Sequence, residues 1–399
     1  MTTSRWLTCT VVAILWVGCG KKKDDSESKP SAAASGEAIP SGESAKPRTP
    51  VEPAATGAKG LAAKDNDPQY AGLAQEFKGC KEINTNCAAY AKKDEIGKIA
   101  QDPAMAAKAR ATFLNWMEEP SAWQVRNAGA HILWTQSLID DASVADPKLA
   151  DRVLAALKAE PGFGTETDNG YTAAQIADVL VRFAKVPANR PPIAAFIADA
   201  NYKLPAGRAE LIRLLDPEAY NDPKVFEALR AVAENAADAK DVRQSVRDSL
   251  AKATGANLNW GKTWLKAQSE SADDAWAGPS VRILAQLGGE AEYKDLLASI
   301  DKRGDADGYL YYATWALGDF LRRKDVTVDK AAGAKVAAKV ATNAKLGYMA
   351  RDNAIDAVLV SGDPSFTPLA AKLAKDKEPN VAKHAAEALE QAKKDAKKP

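Results

Sequence analysis

The sequence predicts an all-α chain of stacked helix pairs, and three observations carry that expectation. From about residue 68 to residue 394, apolar residues recur at three- and four-residue spacing in segments of roughly 12–18 residues. Asp-Pro pairs open several of these segments: Asp102-Pro103, Asp146-Pro147, Asp222-Pro223 and Asp363-Pro364. An aspartate accepts hydrogen bonds from the free N–H groups of a first helical turn, and a proline there gives up no bond the helix needs. Glycines punctuate the other ends, at Gly255, Gly288 and Gly362, where a chain leaving a helix needs unusual backbone angles. No alternating apolar–polar run suggests a strand.

The bulk composition narrows the function. With 399 residues the chain has room for several ordinary domains or one long repeat array. Lys+Arg is 54 against Asp+Glu 53, so the basic excess that binds a phosphate backbone is missing and no nucleic-acid partner is expected. There are two histidines, His131 and His384, and four cysteines, little material for metal or nucleophilic chemistry.

The first residues read as an export signal. Arg5 precedes an apolar run at 6–17, too short for a membrane span, which needs about 20 residues, and suited to a signal peptide. The run ends at Gly18-Cys19-Gly20, followed by Lys21-Lys22-Lys23-Asp24-Asp25. A small residue before a cysteine at this point resembles the lipobox of bacterial lipoproteins. Trp16 departs from the family's usual leucine, and Leu15 stands one position early. The resemblance implies that residues 1–18 are removed, that Cys19 carries the lipid, and that the chain reaches its membrane partner through acyl chains, which hold stably in twos or threes. Gly20, rather than an aspartate, implies sorting to the outer membrane, with the body facing the periplasm or the cell surface. Residues 19–66 follow as a Pro-, Ser-, Ala- and Gly-rich stretch without aromatics. Such composition cannot offset its own ordering entropy, so a disordered tether is expected, with an r.m.s. span of roughly 35 Å over about 40 residues.

Residues 67–399 form the expected folded body. Its repeat is clearest near the end. Gly362-Asp363-Pro364 opens a segment with Phe366, Leu369, Ala370 and Leu373 on one face. A short acidic turn at 376–380 follows, then Val381-Ala382-Lys383-His384-Ala385-Ala386-Glu387-Ala388-Leu389. This resembles HEAT-type repeats, including the short variety of phycobilin lyase-like proteins, in which the second helix begins Val-Arg; here lysine stands near the arginine position. Val125-Arg126, Val242-Arg243, Val281-Arg282 and Ala350-Arg351 echo it upstream. Arg243 and Arg282 are 39 residues apart, and Arg282 and Arg351 are 69 apart, near one and two repeat units. The resemblance implies a HEAT-like α-α solenoid over most of 120–395, most specifically over 280–395, with neighbouring pairs sharing one continuous apolar interior.

At the start of the body, Cys80 and Cys87 flank a polar turn between two helical stretches, 70–79 and 87–101. In an exported chain they are the thiols left once Cys19 is acylated. A disulfide between them is expected, worth about 2.5 kcal/mol by loop entropy.

No catalytic constellation survives inspection. There is no Gly-x-Ser-x-Gly, no phosphate-cradling loop and no His-Glu-x-x-His. Cys80 and Cys87 have no His or Cys neighbours for zinc, and Asp305-Ala306-Asp307-Gly308 fails as a calcium loop because Arg303 and Thr314 would fall at its terminal ligand positions. No cofactor and no metal are expected. Aromatics offer the one candidate surface: Tyr309, Tyr311, Tyr312 and Trp315 lie within seven residues of one helix, while Leu310, Leu317 and Leu321 can fill its core stripe. Exposed, such a stripe marks a protein-binding face; buried, it is inter-repeat packing. Trp260 and Trp264 read as packing.

The functional expectation is a non-enzymatic, lipid-anchored scaffold of the cell envelope that binds another envelope protein. The alternatives are an enzyme, by analogy with the lyase-like relatives, and an envelope spacer whose basic tail, Lys393 to Lys398, touches an anionic polymer.

Overall fold

The computed structural model describes residues 67–395, apart from 82, 84–85, 93–94, 97–101 and 161–165. The signal-like segment, Cys19 and the tether expected at 19–66 lie outside the described residues, as do the last four positions.

Helices account for the described chain, and no strand occurs among these residues. After α1 (Ala71–Lys78) the longer helices come in pairs, with one-turn helices at Asp141–Val144 and Pro217–Tyr220 in the connections. These are α2 (Pro103–Met117) with α3 (Trp123–Thr135), α4 (Pro147–Ala159) with α5 (Glu166–Phe183), and α6 (Arg190–Ile197) with α7 (Pro205–Leu214). They continue with α8 (Pro223–Glu234) and α9 (Lys240–Ser249), α10 (Gly255–Ser269) and α11 (Asp274–Leu287), and α12 (Glu290–Arg303) and α13 (Asp307–Arg322). The last are α14 (Lys330–Thr342) with α15 (Tyr348–Ser361), and α16 (Phe366–Leu373) with α17 (Pro379–Asp395). Each second helix packs on the next second helix along the chain, with one thin step between α9 and α11. The fold is an all-α helical-repeat arrangement.

The local signals act much as their chemistry requires. Asp102, Asp146 and Asp222 cap α2, α4 and α8, accepting from Ala104, Lys148 and Lys224 amides at 2.9, 2.9 and 3.0 Å, with proline in each first turn. At Asp363 the helix starts a turn later than the Asp-Pro pair suggests. The carboxylate folds back on the Ser365 amide at 2.8 Å, and α16 begins at Phe366. Gly362 ends α15 in the left-handed region at φ 72°. Gly255 differs from expectation: it opens α10, at φ 53°, rather than closing α9. The stretch expected to be helical over 87–101 shows a short 3-10 turn at Ala88–Lys92.

Each helix buries one stripe. In α8, Val225, Phe226, Leu229, Val232 and Ala233 recur every three or four residues and are all enclosed. Burying each large one contributes about 1.5–3 kcal/mol. Backbones also meet directly. A Cβ on Gly129 of α3 would lie 2.7 Å from the Phe113 carbonyl oxygen of α2, so only glycine permits that approach.

A polar rung joins successive pairs. Arg126, Arg208 and Arg351 stand at the fourth position of α3, α7 and α15, each almost fully buried. Each donates backward to a carbonyl near the end of its own first helix: Arg126 to Glu119, Arg208 to Ile197 and Arg351 to Ala341. The same guanidinium forks forward to a carboxylate in the turn of the next pair: Glu160, Asp238 and Asp376. The Arg208–Asp238 pair is bidentate at 2.8 Å, with both side chains 1% exposed. Arg243, at the equivalent place on α9, has no such carboxylate. It reaches the Ala233 carbonyl at 3.4 Å and lies 4.7 Å from the ring centroid of Trp276.

The interior is not the single continuous core the sequence suggests. Buried side chains form two clusters that meet on α11. Trp276, Ile283 and Leu284 belong to the first cluster, and Ala277, Val281 and Ala285 to the second. The division falls beside the step where the Arg243 rung is replaced by an aromatic contact.

The N-terminal end is closed by α1 and the turn after it. Phe77 packs on Trp116 and Tyr70 on Phe113. Cys80 and Cys87 are joined by a disulfide, with Cα atoms 5.5 Å apart, and the Cys80 carbonyl accepts from Gln124 at the start of α3.

Because Arg208 has no solvent to fall back on, Asp238→Ala is expected to destabilise the fold by about 3–5 kcal/mol. Chemical denaturation measures this, and a loss below about 1 kcal/mol, the range of an exposed ion pair, would remove the rung's structural role. In a reductant-free preparation, Cys80→Ser is expected to lower stability by about 2.5 kcal/mol; equal melting temperatures for variant and parent would contradict it.

Candidate interaction surface

The two faces of the helical stack differ in chemistry. In the later part of the stack first helices are linked by exposed ion pairs, Lys266–Asp295 at 2.7 Å between α10 and α12 and Lys339–Asp301 at 2.8 Å between α12 and α14. Second helices carry the exposed large apolar side chains: Trp134 on α3, Tyr171 on α5, Leu214 on α7, and Tyr348 and Met349 on α15. Among the described residues, every large hydrophobic side chain of that exposed class stands on a second helix. Water disfavours such groups, and where they gather into a patch they mark a contact surface.

The predicted aromatic stripe on α13 divides in two. Tyr309 is a correction, being fully buried. Its hydroxyl donates to Ser299 Oγ at 2.7 Å, and Arg303 covers its ring at 4.2 Å, so it is inter-helix packing and cannot touch a partner. Tyr311, Tyr312 and Trp315 are half-buried, and Tyr311 meets both of the others, with ring centroids 4.7 Å apart for Tyr311–Tyr312 and 6.0 Å for Tyr311–Trp315. The guanidinium of Arg282, from α11, lies 3.3 Å above the Trp315 ring. Burial lifts the nearby Asp319 carboxyl above its ordinary range, against the pull of Arg282 and Arg322. The edge of this cluster is tied to α15: Asn353 donates to the Tyr311 carbonyl at 3.0 Å, and Thr314 to that of Ala350 at 3.2 Å.

A second cluster, not foreseen from the sequence, lies on α3, α5 and α7. His131 Nδ1 meets Gln175 Oε1 at 2.8 Å, and Gln175 Nε2 donates to Asp178 Oδ2 at 3.1 Å. Tyr90 and Trp134 flank the imidazole at 5.3 and 6.5 Å. Arg182 donates to the Trp134 carbonyl at 2.8 Å, holding the end of α3 against α5. Desolvation pushes Asp178 up to about 7; Glu210 adds to the rise and Arg213 opposes it. The arrangement sets indole and phenol rings around an imidazole–amide–carboxyl chain whose amide and carboxyl are buried.

The remaining predicted positions are scattered. Cys80 and Cys87 are bonded to each other at the N-terminal end, and Cys19 lies outside the described residues. His384 pairs with Asp356 at 3.0 Å, and that hydrogen bond raises its pKa. The acids at 305–307 are inter-repeat struts: Asp305 accepts from Asn343 and Lys345, and Asp307 from the Gly347 amide. No group of three or more His, Cys, Asp or Glu side chains among the described residues could hold a metal ion. No helix among them is long and apolar enough to cross a membrane.

No family model and no curated protein matches the chain. Among solved structures it is similar to human deoxyhypusine hydroxylase in complex with glycerol, at 15% identity and a TM-score of 0.29, over 74% of this chain and 99% of that one. A likeness of that degree carries nothing over to the site.

Asp178 predicts a pH effect of definite sign. Its folded pKa stands above the ordinary carboxylate value, so between about pH 4 and about pH 7 the native state holds a proton that the unfolded chain has released. Stability therefore falls as pH rises through that window. Asp178→Asn is expected to match the parent's melting temperature at about pH 4 and exceed it at about pH 8; parallel curves would contradict the buried-carboxyl reading.

Proposed function

We propose that the chain is a non-catalytic scaffold of the bacterial cell envelope, held to a membrane by lipid on Cys19, and that its second-helix face binds a protein. The observation that carries the binding half is the segregation of Trp134, Tyr171, Leu214, Tyr348 and Met349 onto second helices, with the Tyr311–Tyr312–Trp315 cluster among them. Rigid aromatics lose little conformational freedom on binding and bury large area, so they anchor interfaces. Arg282 on Trp315 supplies a planar cation beside them, a residue type enriched at such surfaces. The near balance of charge, 54 against 53, argues for a protein partner over nucleic acid.

The anchoring half rests on sequence: an apolar run too short to span, then Gly18-Cys19-Gly20. Diacylation, or more, makes membrane residence stable, and a long polar stretch before the body leaves the second-helix face free to meet its partner.

Each half has its own test. Cys19→Ala is expected to abolish labelling by a radioactive fatty acid and to release the protein from the membrane fraction; retention without label would end the lipid reading. A photo-crosslinking residue placed at Tyr171 or at Tyr312 is expected to trap one recurrent protein in intact cells, whereas the same residue at Lys148 or Lys335, on first helices, is not. Equal capture from all four positions, or polymer fragments in place of a protein, would overturn the scaffold reading.

A further inference from the structure

Most second-helix arginines spend their guanidiniums on this chain. Arg126, Arg208 and Arg351 take carbonyls and carboxylates. Arg182 takes the Trp134 and Ile139 carbonyls. Arg282 of α11 does not. It is half-buried, and among the described residues it finds no hydrogen-bond acceptor and no carboxylate within ion-pair distance. Its Nε is enclosed without a partner, while its terminal Nη nitrogens stay open to the surface. What it does touch is the Trp315 ring, whose centroid lies 3.3 Å from the guanidinium carbon. Stacking of that kind uses the face of the guanidinium and leaves its N–H groups directed outward in the plane. Donors that have lost water regain it only through a partner.

The surroundings hold this cation in place. Gly278, one turn before Arg282, lets the Tyr312 ring of α13 sit against α11: a Cβ there would lie 2.5 Å from Tyr312 Cδ2. Tyr311 packs on both Tyr312 and Trp315. On the next second helix, α15, Tyr348 and Met349 stand exposed. The acids nearby answer to other groups. Asp319, one turn beyond Trp315, pairs with Arg322 at 3.5 Å, and burial holds its carboxyl above the ordinary range despite the pull of both arginines. On α15, Asp356 is taken by His384 at 3.0 Å, and Asp352 lies in the field of His384 and Arg351. Arg282 and Arg322 thus share one carboxyl, and a positive charge is left over.

We propose that Arg282, laid flat on Trp315, is the docking point for a carboxylate of the partner protein, an aspartate or glutamate side chain that meets the Nη edge while an apolar neighbour covers Tyr312. This rests on the reading that the second-helix face binds a protein, and it adds the chemistry of the segment bound. A carboxylate matches a guanidinium fork in both spacing and charge, whereas an amide lacks the charge and an ammonium is repelled. The surrounding rings exclude water and so strengthen the pair.

Fluorescence polarisation with the full chain tests this. The probes are three peptides with blocked ends, an uncharged dye and one apolar framework, differing at a central glutamate, glutamine or lysine. The glutamate peptide is expected to bind about tenfold tighter than the glutamine peptide, with the lysine peptide weakest. Arg282→Met keeps an apolar stem over Trp315 and is expected to erase the preference for glutamate. Arg282→Lys keeps the charge without the fork and is expected to recover only part of it. Asp319→Asn removes the competing acid and is expected to preserve or enlarge it. The inference fails if the parent does not separate glutamate from glutamine, binds none of the peptides, or keeps its preference in Arg282→Met. Inorganic phosphate that displaces the glutamate peptide at equal or lower concentration would assign the site to phosphate and overturn it too. The comparison on the parent needs no variant, so misfolding of Arg282→Met does not rescue the inference. Crosslinking at Tyr171 and Tyr312 judges the protein-binding reading separately. A partner captured there without a glutamate preference sinks this inference alone; a glutamate preference without a captured partner sinks that reading alone.

Discussion

Buried arginine is the constraint on which this architecture turns. A guanidinium cannot lose its proton in a protein interior, so each of Arg126, Arg208 and Arg351 must be surrounded by acceptors or left at severe cost. The fold answers by placing every one where two pairs meet, with a carbonyl from its own pair behind and a carboxylate from the next pair in front. That requirement fixes register in a way apolar packing does not. A slide of one helical turn would keep many of the alanine and leucine contacts, yet it would strand the charge. The rungs therefore supply specificity, while the enclosed stripes of valine, leucine and phenylalanine supply most of the driving force.

Arg243 finds a tryptophan face instead of a carboxylate, the neighbouring second helices stand apart, and the interior divides at α11. On the outside of the stack, exposed ion pairs link first helix to first helix, weak and open to salt. The second-helix side carries unburied aromatics and few such straps. First helices of the later repeats thus carry their surface charge in pairs, while second helices carry the exposed large apolar groups.

How much of this the sequence disclosed depended on how local each interaction is. The caps at Asp102, Asp146 and Asp222 were legible because an aspartate and its acceptor-seeking amides are two residues apart. Arg126 and Arg351 stood out through the Val-Arg and Ala-Arg echo, but Arg208, preceded by Gly207, did not, although its rung is as fully formed. Its partner lies 30 residues on, against 34 and 25 for the other two, so no fixed spacing announces it. Arg282 shared the motif and does something else, lying over Trp315. In the same way Tyr309 and Tyr311 are two steps along one helix and differ only in rotation about its axis. What separates a core ring from a surface ring there is Ser299 and Arg303, contributed by the preceding helix. The His131–Gln175–Asp178 chain joins residues 44 positions apart with no motif at all.

The disulfide at the N-terminal end bears on more than the strength of one turn. Stacked repeats must stop somewhere, and the last apolar flank has to be shielded or it will recruit another chain. Here the shield is short: Tyr70 in the turn before α1, α1 with its Phe77 side chain, and a turn closed by Cys80 and Cys87. The bond closes only the turn after that shield, and the Cys80 carbonyl it holds in place accepts from Gln124 at the start of α3. The covalent link therefore fixes the direction in which the chain leaves the shield and enters the stack, a constraint that Tyr70 and Phe77, lying before it in the chain, do not supply.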